Sequence, residues 1–263
     1  METGTKSRRI ALILSYDGTA FHGYQIQDTG RTVQDDVERT LSIICSEKIR
    51  ITAAGRTDAG VHALYQVVHF DTTSSITLQK ICIGSNGILK KDVSVLNAFV
   101  VDENFHARYS AVSREYKYHI YNNKMRSPFM TYRALWHPEK LDVIGFIEIL
   151  KVLEGTHDFA SFCKKSSSDI NTVRTIKKLD VQQLDDYLVI TIKGNAFLHN
   201  MIRIIIGTTL DLIKNNGTAS DMKEILSQND RIASGKTASP NGLYLAKVIY
   251  EPDLESYESA FPV

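Results

Sequence analysis

The chain is poor in the features that mark metalloproteins, disulfide-stapled domains and membrane proteins. Its 263 residues hold three cysteines, Cys45, Cys82 and Cys163, far apart and without a C-x-x-C pair. That odd count at such spacing argues against a disulfide framework or a zinc site, so buried free thiols are expected. Eight histidines are scattered with no H-E-x-x-H run, and no metal is expected. Long apolar runs are missing too. "IALIL" (Ile10 to Leu14) and "IIIG" fall far short of the ~20 residues that a bilayer span needs. Lys6, Arg8 and Arg9 precede the first apolar stretch, but it stops at "SYDG" with no small-residue cleavage site after it. It reads as a first strand, not a secretory leader, and a cytoplasmic protein is expected.

Excess charge of either sign is also lacking: 31 basic residues face 30 acidic ones, a net +1. Bulk charge therefore points to no polyanionic partner. A hydrophobic content of 43% with 23% charged residues describes an ordinary globular chain, long enough for one large domain or two smaller ones.

What is present is local. Between His106 and Arg133 lie Arg108, Arg114, Lys117, Lys124, Arg126 and Arg133 against one acid, Glu115, with Tyr109, Tyr116, Tyr118, Tyr121 and Tyr132 interleaved. Cations among aromatics suit phosphate contacts plus base stacking. A strand with a solvated basic face explains the same pattern.

The run "AAGRTDAGVHA" (Ala53 to Ala63) sets Arg56, Thr57, Asp58 and His62 around two glycines, Gly55 and Gly60. Glycine is frequent where φ must be positive or a ligand approaches closely. Asp and Gly are equally ordinary in a turn. The strand-like "YQVVHFDTT" follows at once, so the run belongs on a loop feeding a strand.

"RRIALILSYDG" reads as a buried strand, and "TVQDDVERTLSIICS" as a helix with Thr32 as N-cap and Val33, Val37, Leu41 and Ile44 on one face. A helix around Ile76 to Leu89 and the strand "VSVLNAFVV" complete a β-α-β-α-β half. A second half of similar order follows. "SREYKYHIYNN" is a strand with Tyr116, Tyr118 and Ile120 on one face. "LDVIGFIEILKVLEG" is a helix with Gly155 as its C′ residue. Strands at "TIKKLDVQQL" and "YLVITIKGNAF" precede a helix, "FLHNMIRIIIGTTLDLIKNNG", ended by Gly217. A short helix over Ser220 to Ser227 and the strand "GLYLAKVIY" follow. Lys164 and Lys165 read as a mobile loop, either in contact with RNA or simply solvated. The expected division is residues 1–104, an α+β half carrying Asp58; residues 105–250, an α+β half with the basic aromatic segment; and residues 251–263, an acidic tail. That tail carries four acids and no base, and a peripheral or flexible end is expected.

These segments together resemble the bacterial tRNA pseudouridine synthase A family. The resemblance runs from Ile10 to Tyr250 and is carried by "YDGTAFHGYQIQ", "AGRTDAGVHA" with "QVVHF", "FHARYSA", "REYKY", "GTHDFASF", "VRTI", "FLHNMIR" and "GLYL". It implies an α+β fold of two ferredoxin-like halves, joined in one continuous, mainly antiparallel sheet with a central RNA-binding cleft. It implies isomerisation of uridine to pseudouridine at positions 38, 39 and 40 of the tRNA anticodon stem-loop. No cofactor or metal is implied, and a homodimer is. Asp58 matches the catalytic aspartate, Arg56 the arginine that assists base flipping, and Tyr116 the tyrosine that packs on the target base. Phe105, His106, Ala107, Arg108 and Tyr109 match an RNA-contacting segment, with Lys124 as a further RNA contact, and Arg203 becomes a candidate partner of the carboxylate. Two positions depart from the family pattern: Lys90 in "NGILKKDV" replaces a frequent proline, and Tyr24 stands where tryptophan is frequent.

The implied reaction breaks the bond from ribose C1′ to uracil N1, turns the base and joins C1′ to C5. It consumes no water, so the paired carboxylates of a glycosidase are unnecessary. One carboxylate suffices, as nucleophile or as base, provided the nucleotide leaves the stacked stem. Two other functions fit parts of the sequence. A catalytically silent tRNA-binding protein would keep the basic segment and lack the aspartate, which is present. A nucleoside hydrolase would need a second carboxylate near Asp58. Asp102 and Glu103 are candidates by type, though nothing in the sequence brings them there. His62 and His69 read as structural.

Overall fold

Five helices and eleven strands make up the computed structural model, which describes residues 7–164 and 171–261. Lys165 and the serine run after it lie outside the described residues. In chain order the elements are β1 (Arg8–Tyr16), α1 (Val33–Cys45), β2 (Thr52–Ala53), β3 (His62–Thr72), α2 (Leu78–Ile88) and β4 (Val93–Val101). Then come β5 (Ala111–Asn122), β6 (Leu135–His137), α3 (Val143–Lys151), β7 (Gly155–Asp158), β8 (Val173–Leu184) and β9 (Tyr187–Gly194). Last are α4 (Met201–Lys214), α5 (Ala219–Gln228), β10 (Leu243–Tyr250) and β11 (Glu258–Ser259). The fold class is α+β, as expected. No helix among the described residues is long and apolar enough to cross a membrane, and Cys45, Cys82 and Cys163 are buried and unbridged.

The chain divides into two compact units, residues 1–112 with 244–263, and residues 113–243. This differs from a break at 104/105 with a second half running to residue 250. The reason is pairing: β10 runs parallel to β3 through Tyr244–His62 and Leu245–Ala63, so the last long strand joins the first unit. The acidic tail is likewise not loose. β11 pairs antiparallel with β4, Leu254 and Ala260 are buried, and the Asn97 amide brackets the backbone of Phe261 with two hydrogen bonds. Four acids at a chain end say nothing about the apolar residues between them.

In the first unit β1 lies between β3 and β4, antiparallel to both. A central strand covered on both faces needs no alternation, and Ile10 to Leu14 are all buried. The β4 span coincides with the expected "VSVLNAFVV". Helix α1 starts where its sequence says it should. Thr32 accepts from the Asp35 amide, Asp35 and Asp36 occupy the first turn, and acids there favour the helix dipole. Val33, Val37 and Leu41 face inward, while Ile44 is half-buried.

In the second unit β9 lies between β5 and β8, antiparallel to both. β7 extends the sheet beyond β8, and β6 pairs parallel to β5. Tyr118 and Ile120 of β5 are fully buried, and Tyr116 on the same face is half-buried. Two helix boundaries differ from the sequence reading. Gly155 is not a helix cap: α3 ends at Lys151 with Val152 as its cap, and Gly155 (φ +109°) opens β7. Helix α4 begins only at Met201, because Asn200 takes a left-handed conformation (φ 61°) that "FLHN" cannot carry as helix. Gly217 does close α4, its amide returning to the Leu212 carbonyl.

Candidate active site

Asp58 sits in an irregular loop between β2 and β3. Its neighbours alternate in exposure: Arg56 is exposed, Thr57 buried and Asp58 half-exposed. Thr57 therefore points into the protein while the two charged side chains flanking it reach outward. Gly60 takes the left-handed conformation (φ +79°) and closes a turn in which the Val61 amide donates to the Asp58 carbonyl at 3.1 Å. Gly55 has a different role, offering its carbonyl to Nε2 of fully buried Gln66 at 2.7 Å.

The loop is gripped from beneath. Tyr16 at the end of β1 places its hydroxyl 2.8 Å from Oγ1 of Thr57. The Tyr24 amide donates to the Thr57 carbonyl at 3.0 Å. Gly23 beside it has φ +102° and passes so near that a Cβ would lie 3.1 Å from that same carbonyl. The segment bearing Gly23 and Tyr24 is fixed by Arg31, whose guanidinium binds Asp36 and Asp92 and lies 4.2 Å over the Phe21 ring. Burial pushes the Tyr16 hydroxyl up to about 12, so it stays protonated and can take part in neutral hydrogen bonding.

His62 and His69 have structural surroundings. His62 accepts from the Gly18 amide at 3.1 Å and stacks on Tyr244 at 4.6 Å. His69 accepts from the Ala107 amide at 3.1 Å. Burial, then the nearby charges of Arg9 and His106, lower His69 to about 4.

That value gives a testable pH dependence. Unfolded His69 takes a proton near pH 6.5, whereas folded His69 resists until about 4. The unfolded state therefore binds more protons in this window, and stability contributed at neutral pH is lost as pH falls from 6.5 towards 4. Urea unfolding should show about 2 kcal/mol lost between pH 7 and pH 5 that His69→Asn does not lose. Parallel profiles would remove His69 as the cause.

The "FHARY" segment is divided by its own anchoring. Phe105 and Ala107 are buried; the Ala107 carbonyl accepts from the Tyr250 hydroxyl at 2.7 Å, and the Phe105 carbonyl accepts from Arg9. His106 accepts from the amides of Arg108 and Tyr109 and packs between the tilted rings of His69 and Tyr109, with centroids at 4.9 and 4.3 Å. Arg108 and Tyr109 are exposed. Of the five residues, Phe105 and Ala107 thus shape the segment, while Arg108 and Tyr109, with half-buried His106, present side chains outward. Asp102, the sequence's candidate second carboxylate, accepts from the Tyr257 hydroxyl at 2.9 Å.

In the second unit Tyr116 stands edge-on to Phe197, centroids 5.1 Å apart at 78°. Lys124 is exposed beyond the far end of β5, at least six residues or ~20 Å along the strand from Tyr116, so those two do not share a site. Arg203 lies in the first turn of α4, its Nε donating to the Ala238 carbonyl at 2.9 Å and its Nη1 to Asn200 Oδ1 at 2.8 Å. Thr57 stands in the glycine-bounded run as a polar residue with no role of its own, and Tyr16 and Gln66 carry no signal that marks them. The only cue was their place inside "SYDG", "GRTDAG" and "QVVHF".

The sequence pattern of the tRNA pseudouridine synthase family matches residues 12–110 and 149–251. Relatives named tRNA pseudouridine synthase A are similar over nearly the whole length. The protein from Geobacillus sp. (strain WCH70) is 43% identical over 246 residues, covering 93% of this chain and 99% of that one. That from Bacillus subtilis (strain 168) is 42% identical over 245 residues, covering 92% and 99%. That from Shouchella clausii (strain KSM-K16) is 44% identical over 243 residues, covering 92% and 93%. Matches of this extent establish that the chain belongs to the tRNA pseudouridine synthase family.

Proposed function

We propose that this protein isomerises uridine to pseudouridine at positions 38, 39 and 40 of the tRNA anticodon stem-loop, with Asp58 as the reacting carboxylate. The observation that carries the reading is the Asp58 loop itself. A half-exposed carboxylate rides on a buried, hydrogen-bonded base in a chain of this family. The target nucleotide must leave the stem before C1′ can be reached. Exposed Arg56, two residues from the carboxylate, fits the task of holding the phosphate or filling the vacated stack. Tyr116, propped by Phe197, offers a ring face that retains the detached uracil without directional bonds while it turns. The bond from C1′ to N1 breaks, that from C1′ to C5 forms, the hydrogen on C5 leaves as a proton, and N1 takes up a proton in its place, so uridine and pseudouridine have the same composition. Arg203 keeps in this reading the role that the resemblance gives it. A cytoplasmic homodimer is part of the same proposal, with sedimentation equilibrium as its check.

The experiment is release of tritium from C5-labelled uridine in tRNA, paired with mapping of pseudouridines at positions 38–40 in cells with and without the protein. Binding without tritium release would favour a silent tRNA-binding protein. A further outcome concerns affinity. If exposed Arg108 neutralises one phosphate, Arg108→Ala should flatten the slope of log affinity against log salt by about one unit. An unchanged slope and affinity would assign Arg108 to the protein's own structure.

A further inference from the structure

Beneath the Asp58 loop runs a chain of buried polar groups that the reaction as described does not use. Gln66 Nε2 donates to the Gly55 carbonyl at 2.7 Å and lies 3.5 Å from the Tyr16 hydroxyl, which meets Thr57 Oγ1 at 2.8 Å. Tyr16, Thr57 and Gln66 are 4%, 7% and 0% exposed. Two more buried polar atoms, Gln66 Oε1 and the Tyr24 hydroxyl, have no hydrogen-bond partner among the described residues. Tyr24 is near enough to feel the charges of Glu38 and Arg56.

Folding alone does not call for this arrangement. A buried polar group left partly unsatisfied costs free energy, and replacing both partners of a buried hydrogen bond by apolar groups of the same shape can be neutral or stabilising. What the polar chain adds is direction. It holds the backbone carbonyl of Gly55 and the side-chain hydroxyl of Thr57, on either side of Arg56 and immediately before Asp58. Thr57 is the inward-pointing residue between two outward-pointing charges, so its rotation sets theirs.

We infer that the hydroxyl pair Tyr16–Thr57, steadied by Gln66, is the positioning element that holds Asp58 at the reacting atoms, acting through Thr57 without touching the substrate. The inference rests on Asp58 being the reacting carboxylate. Orientation of a reacting group is worth large factors in rate, and a misplacement near 1 Å costs about a hundredfold. The signature of such a role is loss of the chemical step with binding preserved, because the exposed cation proposed to contact phosphate outside this loop, Arg108, is untouched.

The test compares parent, Asp58→Asn, Thr57→Val, Thr57→Ser, Tyr16→Phe and the Thr57→Val/Tyr16→Phe double variant. Three quantities are measured: tritium release in a single turnover at saturating tRNA, tRNA affinity, and amide hydrogen exchange of residues 55–60. Thr57→Val keeps shape and removes the hydroxyl, so turnover should fall about a hundredfold with affinity unchanged and loop exchange faster. Thr57→Ser keeps the hydroxyl and should restore a rate near the parent's. Tyr16→Phe removes the same bond without altering the loop's own sequence, and should match Thr57→Val. The double variant should be no slower than either single one, since both remove one interaction. Parent-like turnover in Thr57→Val, equal losses in Thr57→Ser and Thr57→Val, or multiplying losses in the double variant would overturn the inference. Parent-like turnover in Asp58→Asn sinks the catalytic reading instead. The exchange data then decide alone, and unchanged loop exchange in Thr57→Val overturns the positioning role.

Discussion

Asp58→Asn should fold, bind tRNA as the parent does, and release tritium from C5 at least roughly a thousandfold more slowly. The substitution preserves the shape of the side chain and its capacity for hydrogen bonding. The Val61 amide that closes the turn donates to the backbone carbonyl of Asp58, not to its side chain, so this closure survives. The grips on Gly55 and Thr57 also avoid the carboxylate. What disappears is the anionic oxygen, and with it both routes open to one carboxylate, attack at carbon and removal of a proton. Arg56→Ala is a useful contrast. If Arg56 helps present the base, a tRNA with a loosened anticodon stem should recover part of its activity and none of that of Asp58→Asn. Tritium release by Asp58→Asn at the parent's rate would make Asp58 an ordinary turn residue.

The second large effect is expected at a residue with no side chain. Gly18, just past β1, lies against the backbone where the Asp58 loop enters β3. A Cβ there would fall closer to the Val61 carbonyl than real Cβ atoms approach a backbone oxygen, and 3.0 Å from the Gly60 carbonyl carbon. Backbone cannot swing aside as the tip of a flexible side chain can. Gly18→Ala should therefore cost roughly 3 kcal/mol in urea unfolding, at the upper end for overpacking. Activity should fall at temperatures where the variant is still folded, because the turn at Gly60 must move to admit the methyl group. Parent-like stability would mean that Val61 relaxes freely and that the close approach constrains nothing.

Sequence reading recovered the elements whose local chemistry is unambiguous. Thr32 before a helical apolar face marked α1, and nine consecutive residues with apolar ends marked β4. It lost the elements that depend on distant partners. Two- to four-residue strands such as β6, β7 and β11 carry too few residues for any period, and exist because a longer strand offers an edge. Gly155 follows an apolar helical period and so carries the local signature of a helix cap; the decisive fact is the pairing of Gly155 with Ile176, which lies twenty-odd residues on. The site divides in the same way. Asp58 and Arg56 stood out as charged residues between glycines, whereas Tyr16 and Gln66 look like routine strand residues until β1 and β3 are paired through Leu14–Gln66. In "FHARY" the alternation of buried Phe105 and Ala107 with outward residues follows from Tyr250 and His69, which no local window contains.

The return of β10 and β11 to the first unit has a consequence for synthesis. A nascent chain emerges in order, at ~5–20 residues per second. The Asp58 loop and its hydroxyl supports are made early. The strand that covers the His62–Ala63 end of β3 is not translated until residues 243–250, and the strand along β4 not until 258–259. For roughly ten seconds the unit that carries Asp58 exists on the ribosome with bare sheet edges while the whole second unit is produced. Bare edges invite wrong pairing, so this interval is when a slow ribosome or a missing chaperone would do most harm. The first unit is thus begun early and closed late, residues 8–72 waiting for residues 243–259.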